Sequence, residues 1–357
     1  SSAKFYEVHN SPLPYYRYNL PFLQRFFNFF LLISQIYLFA LLSSLALIRL
    51  FRREKIEVIH AHIGPPALTA IIVNKLRRNP AMTVYSTHYV GLMTKPTWFR
   101  RLIDFSEIIP LKWADHIVAD TPAVKRRLVS DFNLEAAKIT PIGIGLDEVK
   151  QFLSKRAGAC HQSNMVLCVG AVNPRKNQFS AVKAIPQVVA AHPEVKFVFA
   201  GVIFDRKYFN SIQRFTAENN LSPWVEFKGE ITRQELYNLY AEAIVFLFPT
   251  TAESRGDVLL EAMAFGLPAV ASTIEPIADA VSQKEGSAIL VDPYDVDGIA
   301  AAIIHLLEDS SLRQSMSQKA KELVQGFSYE HVAAQTLDLY NQLVQKNRSA
   351  SDNEEHL

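Results

Sequence analysis

The chain has 357 residues, of which 49% are hydrophobic and 20% are charged, so it predicts a folded globular protein and excludes an intrinsically disordered one. Two cysteines, Cys160 and Cys168, are too few for a disulfide scaffold, and we expect a reducing, cytoplasmic setting. The net charge of +2 is unevenly distributed, because residues 1–150 carry 19 Lys and Arg against 11 Asp and Glu, whereas 151–357 carry 18 against 24. A basic first half indicates an anionic partner, although it is also compatible with solubility alone.

The first half of the chain contains five short segments with the composition of β-strands. They lie at residues 4–10, 57–62, 83–89, 115–121 and 138–145. The stretches between them favour helices, and this alternation is typical of βα units around a parallel sheet.

One apolar run in this half, Phe29–Ile48, is long enough to cross a bilayer. Basic residues flank it, namely Arg25, Arg49, Arg52, Arg53 and Lys55. Polar residues interrupt the run, and a crossing would separate two strands that belong in one sheet. We therefore expect a long helix packed on the sheet of the first domain. A monotopic helix in the membrane interface and a true span are the alternatives, so peripheral contact at the inner face of a membrane stays open.

From Met165 onward, apolar strand-like runs and helical patterns alternate regularly. Strands are predicted at 165–171, 194–202, 224–230, 244–250, 268–272 and 288–293, and helices at 177–190, 206–219, 232–242, 257–265, 275–281 and 295–308. This pattern predicts an α/β fold with two Rossmann-like domains and ligands at the carboxyl ends of the strands, facing a cleft.

Loss of periodicity near residue 150 marks the domain boundary. We expect a first domain at 1–150, a second at 151–329, and a last helix and tail at 330–357. Two helices separated at Gly326 should end the chain, and the polar residues from Ser349 onward should fray.

The most informative stretch is Pro249–Ser272, PTTAESRGDVLLEAMAFGLPAVAS. Glu253 is predicted in the loop after a buried strand, and Glu261 about one turn into the following helix. The first free backbone N–H groups of that helix belong to Gly256, Asp257 and Val258. A helix N-terminus attracts phosphate, and carboxylates accept hydrogen bonds from hydroxyls, so the combination suits a nucleotide sugar.

This stretch resembles the Glu-x7-Glu motif of retaining GT-B glycosyltransferases of family 4, the group 1 glycosyl transferases. Both glutamates, Gly256, the Glu-Ala-Met-Ala run and the Gly-x-Pro match the family pattern, whereas Ser254, Arg255 and Asp257 depart from it. The resemblance implies a GT-B fold whose C-terminal helix crosses back to the first domain. The opening strand, Gly-rich loop and helix of the family have no counterpart here. We expect the sequence to be a fragment, and an abbreviated first domain is the alternative.

The segment VLCVGAVNPRKNQ, residues 166–178, predicts a strand, a turn and a helix that has Pro174 in its first turn. Arg175 and Lys176 are positioned there to hold a diphosphate. In the family an Arg often follows the glycine that corresponds to Gly170. This chain has Ala171 in that place, so Arg175 is expected to compensate.

Three histidines in predicted strands, His60, His62 and His88, are candidate site residues. His88 matches a family histidine that contacts the transferred sugar, and the resemblance implies the same role here. His60 and His62 share one strand face and match a family strand; His62 is an expected acceptor-side residue. The remaining histidines have no ligand spacing, so we expect no metal and no cofactor.

The resemblance implies a retaining, metal-independent hexosyltransferase that moves a sugar from a nucleotide-diphosphate donor to a hydroxyl of a glycan, polysaccharide or lipid-linked acceptor. Glu253 and His88 would be the catalytic residues. The donor would be bound by Gly170, Arg175, Lys176, Gly256, Asp257, Val258 and Glu261. A GT-B sugar phosphorylase or sugar-phosphate synthase and a non-catalytic nucleotide-sugar-binding module remain alternatives. No nucleic acid partner is expected.

Overall fold

The computed structural model describes residues 22–62, 64–78, 80–87, 100–143, 145–146, 148–149, 152 and 163–355. The chain forms two compact units. The first contains the described part of Ser1–Asp120, Lys125–Pro141 and the residues from Thr336 on, and the second contains Thr121–Val124 and Ile142–Gln335. The expected boundary at residue 150 lies in a segment that is described only in part.

The first unit is built around a four-stranded parallel sheet with the sequential order β1-β2-β3-β4. Its elements are α1 (Phe22–Phe51), β1 (Val58–His62), α2 (Gly64–Lys75), β2 (Met82–Thr87), α3 (Arg100–Trp113), β3 (His116–Ala119), α4 (Pro122–Phe132) and β4 (Ile139–Pro141). The first residues of α4, up to Val124, are assigned to the second unit. Four of the five predicted strands are thereby confirmed. The fifth, at residues 4–10, lies outside the described residues.

The long apolar run forms helix α1, as expected, but the prediction that it packs on the sheet is wrong, because its main packing partner is helix α2. Ala40 and Ser44, four residues apart, are buried, and the Thr69 hydroxyl lies 3.4 Å from the Ala40 carbonyl oxygen. Small residues allow the two helices to approach closely. Within the described residues, no helix has the length and apolar character needed to cross a membrane.

The second unit is a doubly wound α/β domain, which confirms the predicted alternation. Its strands are all parallel, in the order β10-β9-β8-β5-β6-β7. Its elements are β5 (Met165–Val169), α5 (Gln178–Ala191), β6 (Lys196–Ala200), α6 (Arg206–Glu218), β7 (Val225–Gly229), α7 (Arg233–Glu242), β8 (Val245–Phe248), α8 (Asp257–Ala264), β9 (Ala269–Ser272), α9 (Glu275–Ser282), β10 (Ile289–Val291), α10 (Val296–Glu308) and α11 (Ser310–Gln325).

Apolar side chains cover both faces of this sheet. On β5, Leu167 and Val169 belong to one buried cluster, and Val166 and Cys168 belong to the other. A strand that is buried on both faces has a continuous apolar sequence, which is why these strands were predictable. Cys168 is a core residue, as expected, and burial raises the pKa of its thiol to about 12.

The last helix, α12 (Tyr329–Glu355), follows the predicted break at Gly326. Its residues from Thr336 on belong to the first unit, as the resemblance implied. There the Tyr340 hydroxyl lies 2.5 Å from Nδ1 of His60, and Arg348 donates to Glu57 at 2.7 Å. The helix continues as far as Glu355, through part of the polar segment that is expected to fray.

Two glycines at strand ends allow a direct test of backbone crowding. Gly201, after β6, has a φ of +147°, and a Cβ atom there would lie 2.2 Å from the Gly170 carbonyl oxygen. Gly229, the last residue of β7, has a φ of +70°, but a Cβ atom there would meet nothing within 4 Å. We expect Gly201→Ala to lower the free energy of unfolding by about 3 kcal/mol and Gly229→Ala by about 1 kcal/mol. Urea unfolding measures both, and equal losses would contradict the crowding at Gly201.

Candidate functional site

The strand order of the second unit reverses between β5 and β8, and ligands of open α/β sheets bind at such a point. Two loops leave the carboxyl ends of these strands there, at residues 170–177 and 249–256. Five of the ten predicted site residues lie in these loops, namely Gly170, Arg175, Lys176, Glu253 and Gly256. The topology therefore brings together two motifs that are about 80 residues apart in the chain.

Backbone and side-chain hydrogen bonds join the two loops. The Arg175 carbonyl accepts from the Thr251 N–H at 2.8 Å and from the Thr250 hydroxyl at 3.1 Å. The Asn177 amide donates to the Pro249 carbonyl at 3.1 Å. Asn177 has a φ of +55°, so helix α5 begins only at Gln178, and the prediction that Pro174 lies in the first helical turn is wrong.

Charged side chains from both loops meet at Glu253, which is buried. Lys176 Nζ lies 2.5 Å from one carboxylate oxygen, and Arg175 Nη1 lies 3.3 Å from the other. Arg175 Nη1 also donates to the Ala252 carbonyl at 3.0 Å. Arg175, Lys176 and Glu253 together form a cluster with a formal charge of +1. Their contacts orient both cations without the help of a ligand.

Gly170 makes room for the lysine of this cluster. It has a φ of +149°, and a Cβ atom there would lie 3.2 Å from Cδ and Cε of Lys176. The aliphatic part of Lys176 therefore lies across the end of β5. Its Nζ is 4.9 Å from the centroid of the Phe248 ring, at the end of β8.

The N-terminus of helix α8 lies at the end of the second loop. Gly256 has a φ of +87° and precedes the first helical residue, Asp257. Gly256 also fits a tight space, because a Cβ atom would lie 2.6 Å from Cδ1 of Ile277. The Asp257 carboxylate is exposed and binds Arg255 through both of its oxygens, including 2.6 Å to Nη2. Val258 follows in the first turn and is half-buried.

Glu261 lies one turn after Asp257 and is buried. Its carboxylate is 3.0 Å from Arg233 Nη2 and 3.2 Å from the Tyr240 hydroxyl. Arg233 also reaches Glu148 at 3.2 Å. Burial raises the pKa of Glu261, and the positive charge of Arg233 opposes that rise.

These groups line a cavity of about 130 Å³ within the second unit. Glu148, Asp257 and Glu261 supply its carboxylates, and Arg233 and Arg255 supply its guanidinium groups. A cavity with several acceptors and donors suits a ligand that carries hydroxyl groups.

Two of the predicted histidines, His60 and His62, are described by the structure, and both belong to the first unit. His62 is exposed at the end of β1 in the first unit, where its ring stacks on His60 with centroids 4.5 Å apart. His60 Nε2 also lies 2.7 Å from the Ser86 hydroxyl. His88 lies outside the described residues. Among the residues that the structure describes, no group of three or more His, Cys, Asp or Glu side chains could hold a metal ion.

Sequence analysis missed three polar residues of the site: Arg233, Tyr240 and Glu148. Arg233 is the first residue of α7, directly after a capping box between Thr232 and Glu235. That capping signal and the preceding strand are visible in the sequence, so Arg233 could have been placed at the carboxyl edge of the sheet. Tyr240 carried no such signal, because a tyrosine in a helix is usually a core residue.

The sequence matches two family models that together span most of the chain. The one described as Glycosyltransferase Family 4 matches residues 6–150, and the one described as Glycosyl transferases group 1 matches residues 149–323. Together with the fold, these matches define the class: the chain belongs to the group 1 glycosyltransferases of family 4, which have the GT-B fold.

Curated relatives are similar over part of their length. A GDP-mannose-dependent monoacylated alpha-(1-6)-phosphatidylinositol monomannoside mannosyltransferase of Corynebacterium glutamicum is 30% identical over 185 residues, which cover 50% of this chain and 47% of that protein. The O-antigen chain mannosyltransferase B of Escherichia coli is 29% identical, with 50% of this chain and 45% of that protein covered. The chain spans about half the length of these relatives.

Solved structures share the fold at low sequence identity. Sucrose-phosphate synthase from Thermosynechococcus elongatus has a TM-score of 0.69 at 22% identity, covering 88% of this chain and 80% of that chain. Anabaena HepE in complex with UDP and glucose has a TM-score of 0.67 at 17% identity, covering 86% of this chain and 81% of that chain.

The raised pKa of Glu261 predicts a pH dependence of stability. This carboxyl group adds to the free energy of unfolding while it is protonated. Its contribution is fully present below the ordinary pKa of 4.5 and is lost as the pH rises through the raised pKa of the folded state. The glutamine side chain of the Glu261→Gln variant does not titrate, so the stability of this variant relative to wild type should increase as the pH rises. Urea unfolding of both proteins between about pH 4 and about pH 8 measures this difference.

Glu235→Gln is a control with the opposite sign. Hydrogen bonds from Thr232 lower the pKa of Glu235. The contribution of Glu235 to the free energy of unfolding is therefore present above its ordinary pKa and is lost as the pH falls through the lowered pKa of the folded state. A Glu261→Gln profile parallel to that of wild type would contradict a raised pKa.

Proposed function

We propose that this chain carries the donor site of a retaining glycosyltransferase, which moves a sugar from a nucleotide-diphosphate donor to an acceptor hydroxyl. The observation that carries the proposal is the cluster of Arg175, Lys176 and Glu253 beside the N-terminus of helix α8, at the switch point of the sheet. This arrangement combines cations for a diphosphate with a carboxylate for a sugar.

The donor diphosphate would lie between the two cations and the helix N-terminus. Lys176 is fixed by its contact with Glu253 and by the space over Gly170, so it loses little freedom on binding. Backbone N–H groups of Gly256, Asp257 and Val258 would supply further donors. Arg255 would keep the negative charge of Asp257 away from the phosphates by holding both of its oxygens.

The nucleoside would lie toward Glu261, whose carboxylate would accept hydrogen bonds from ribose hydroxyls. Arg233 and Tyr240 hold this carboxylate in a fixed orientation. Arg233 also favours the ionised form, which is the stronger acceptor. The cavity beside Glu261 gives the hydroxyls room to enter.

Catalysis would depend on charge complementarity in the transition state. Negative charge builds on the leaving diphosphate, and Arg175, Lys176 and the helix N-terminus would stabilise it. Glu253 would bind sugar hydroxyls and oppose the positive charge that develops on the oxocarbenium-like ring. We propose front-side attack assisted by the leaving phosphate, which retains the anomeric configuration and requires no metal ion. Glu253 is not proposed as a covalent nucleophile.

The acceptor is proposed to be a hydroxyl of a glycan, polysaccharide or lipid-linked sugar. The names of the two mannosyltransferase relatives, one acting on a phosphatidylinositol mannoside and one on an O-antigen chain, support this class. His88 would contact the transferred sugar, and His62 would lie on the acceptor side.

Lys176→Ala should weaken binding of the donor nucleotide by about tenfold to 100-fold, since it removes a charge-assisted hydrogen bond. The measurement is a thermal-shift panel with UDP, GDP, ADP and their sugar conjugates on the full chain. Lys183→Ala is the matched control, because this lysine projects from helix α5 over the Phe179 ring, away from the cluster.

One nucleotide should stabilise wild type and the control, and the shift should be lost in Lys176→Ala. Equal shifts in all three proteins would contradict the role of Lys176. No shift with any nucleotide would contradict a formed donor site in this chain.

Glu253→Gln should reduce sugar transfer by about 100-fold to 1,000-fold, because an amide cannot oppose the positive ring. Nucleotide binding should stay unchanged or become tighter, since the two cations lose their internal partner. Transfer is assayed with the donor sugar selected in the thermal-shift panel, with and without a chelator.

Wild-type turnover in Glu253→Gln would overturn its catalytic role, and loss of wild-type activity on chelation would overturn metal independence. Nucleotide binding without any turnover would favour the non-catalytic module. Consumption of inorganic phosphate or a sugar phosphate would favour the phosphorylase or synthase alternative.

A further inference from the structure

Helix α1 presents a row of large apolar side chains to solvent. Leu38, Leu41, Leu42, Leu45 and Ile48 are each between 36% and 57% exposed. Their spacing places them within a stripe of about 120° on one side of the helix. The buried Ala40 and Ser44 lie outside this stripe. The stripe is thus a surface feature and not part of the core.

Helix α2 lies beside this part of α1 and also has exposed apolar side chains. The Thr69 hydroxyl is 3.4 Å from the Ala40 carbonyl, and the Arg77 guanidinium lies 3.8 Å from the Phe51 ring centroid. The second contact lies closer to the C-terminal end of both helices than the first, so the two helices run side by side in parallel. Ile72 and Leu76, one turn apart, are 41% and 83% exposed. We call these two side chains and the five on α1 the apolar patch.

Basic residues surround the end of the apolar patch at which both helices finish. Two of them, Arg49 and Lys75, lie in the last turns of α1 and α2. The others follow these helices, namely Arg52, Arg53 and Lys55 after α1 and Arg78 after α2, and all six are exposed. Glu54 is the single acidic residue in the stretch 49–55. This basic rim lies in the half of the chain that carries the excess of positive charge.

We propose that the apolar patch and its basic rim dock the protein on an anionic lipid bilayer. The leucines would enter the interface between headgroups and acyl chains, with α1 lying in the membrane plane. The arginines and lysines would bind lipid phosphates. This docking requires no helix that spans the bilayer, and it does not depend on the transfer reaction.

Charge argues for a bilayer rather than a second copy of the chain. Two copies that joined their apolar patches would place basic rims near one another unless the helices ran in opposite directions. A bilayer of anionic lipids neutralises every cation of the rim at once. An apolar face with a cationic border is also the composition typical of interfacial helices.

Vesicle flotation of the full chain tests the docking surface. Wild type should float with vesicles of phosphatidylcholine and phosphatidylglycerol, and stay unbound with phosphatidylcholine alone. Arg52→Gln with Arg53→Gln should lower the partition coefficient by about 25-fold, at about fivefold for each cation. Leu41→Gln with Leu45→Gln should lower it by about 100-fold, at about tenfold for each leucine.

Leu337→Gln is the matched control, because this leucine is 43% exposed on helix α12, which lies outside the apolar patch. It should float like wild type. Glutamine is a good helix former, so unchanged thermal midpoints should accompany every substitution.

Failure of wild type to float with anionic vesicles would overturn the proposal, as would equal flotation of the leucine variant. A wild-type dimer that the leucine variant converts to a monomer would assign the apolar patch to a second copy instead. Flotation is measured without donor or acceptor, so a negative transfer assay leaves its result unaffected.

Discussion

The site of the second unit depends on one contact, the binding of the Glu253 carboxylate to Lys176 and Arg175. These residues come from the loops after β5 and β8, and the Arg175 carbonyl joins the same loops through the backbone of Thr251. A buried carboxylate requires such partners, because an unpaired charge in that place would be strongly destabilising. The same requirement keeps both cations at the strand ends, where a diphosphate would find them already oriented.

Glu261 illustrates the energetic cost of placing a carboxylate in a buried position. It is buried, and the raised pKa reflects the free energy needed to keep it ionised there. Arg233 and Tyr240 compensate in part, and Arg233 adds a link to Glu148. Under the proposed function, this carboxylate would accept hydrogen bonds from ribose hydroxyls, which gives a buried ionisable group at this position a purpose.

In the first unit, the packing of two helices determines which apolar side chains are exposed to solvent. Small residues on α1 allow close packing against α2, which directs the large leucines outward. An apolar patch bordered by cations is costly in water and favourable at an anionic interface. The sequence already contained both parts, the apolar run and its basic flanks, but a helix packed on the sheet would have buried the run. Packing on α2 instead leaves the stripe at the surface.

The sequence by itself determined the order of strands and helices from Met165 onward and the family motif around Glu253 and Glu261. Strands buried on both faces are continuously apolar, and glycines such as Gly256 and Gly266 mark helix ends, so both are readable locally. Only the tertiary structure decided that Lys176 and Arg175 bind Glu253 and that Arg233 binds Glu261. It also decided which side of α1 is exposed. These contacts join residues far apart in the chain, and local patterns carry no information about which distant side chains will meet.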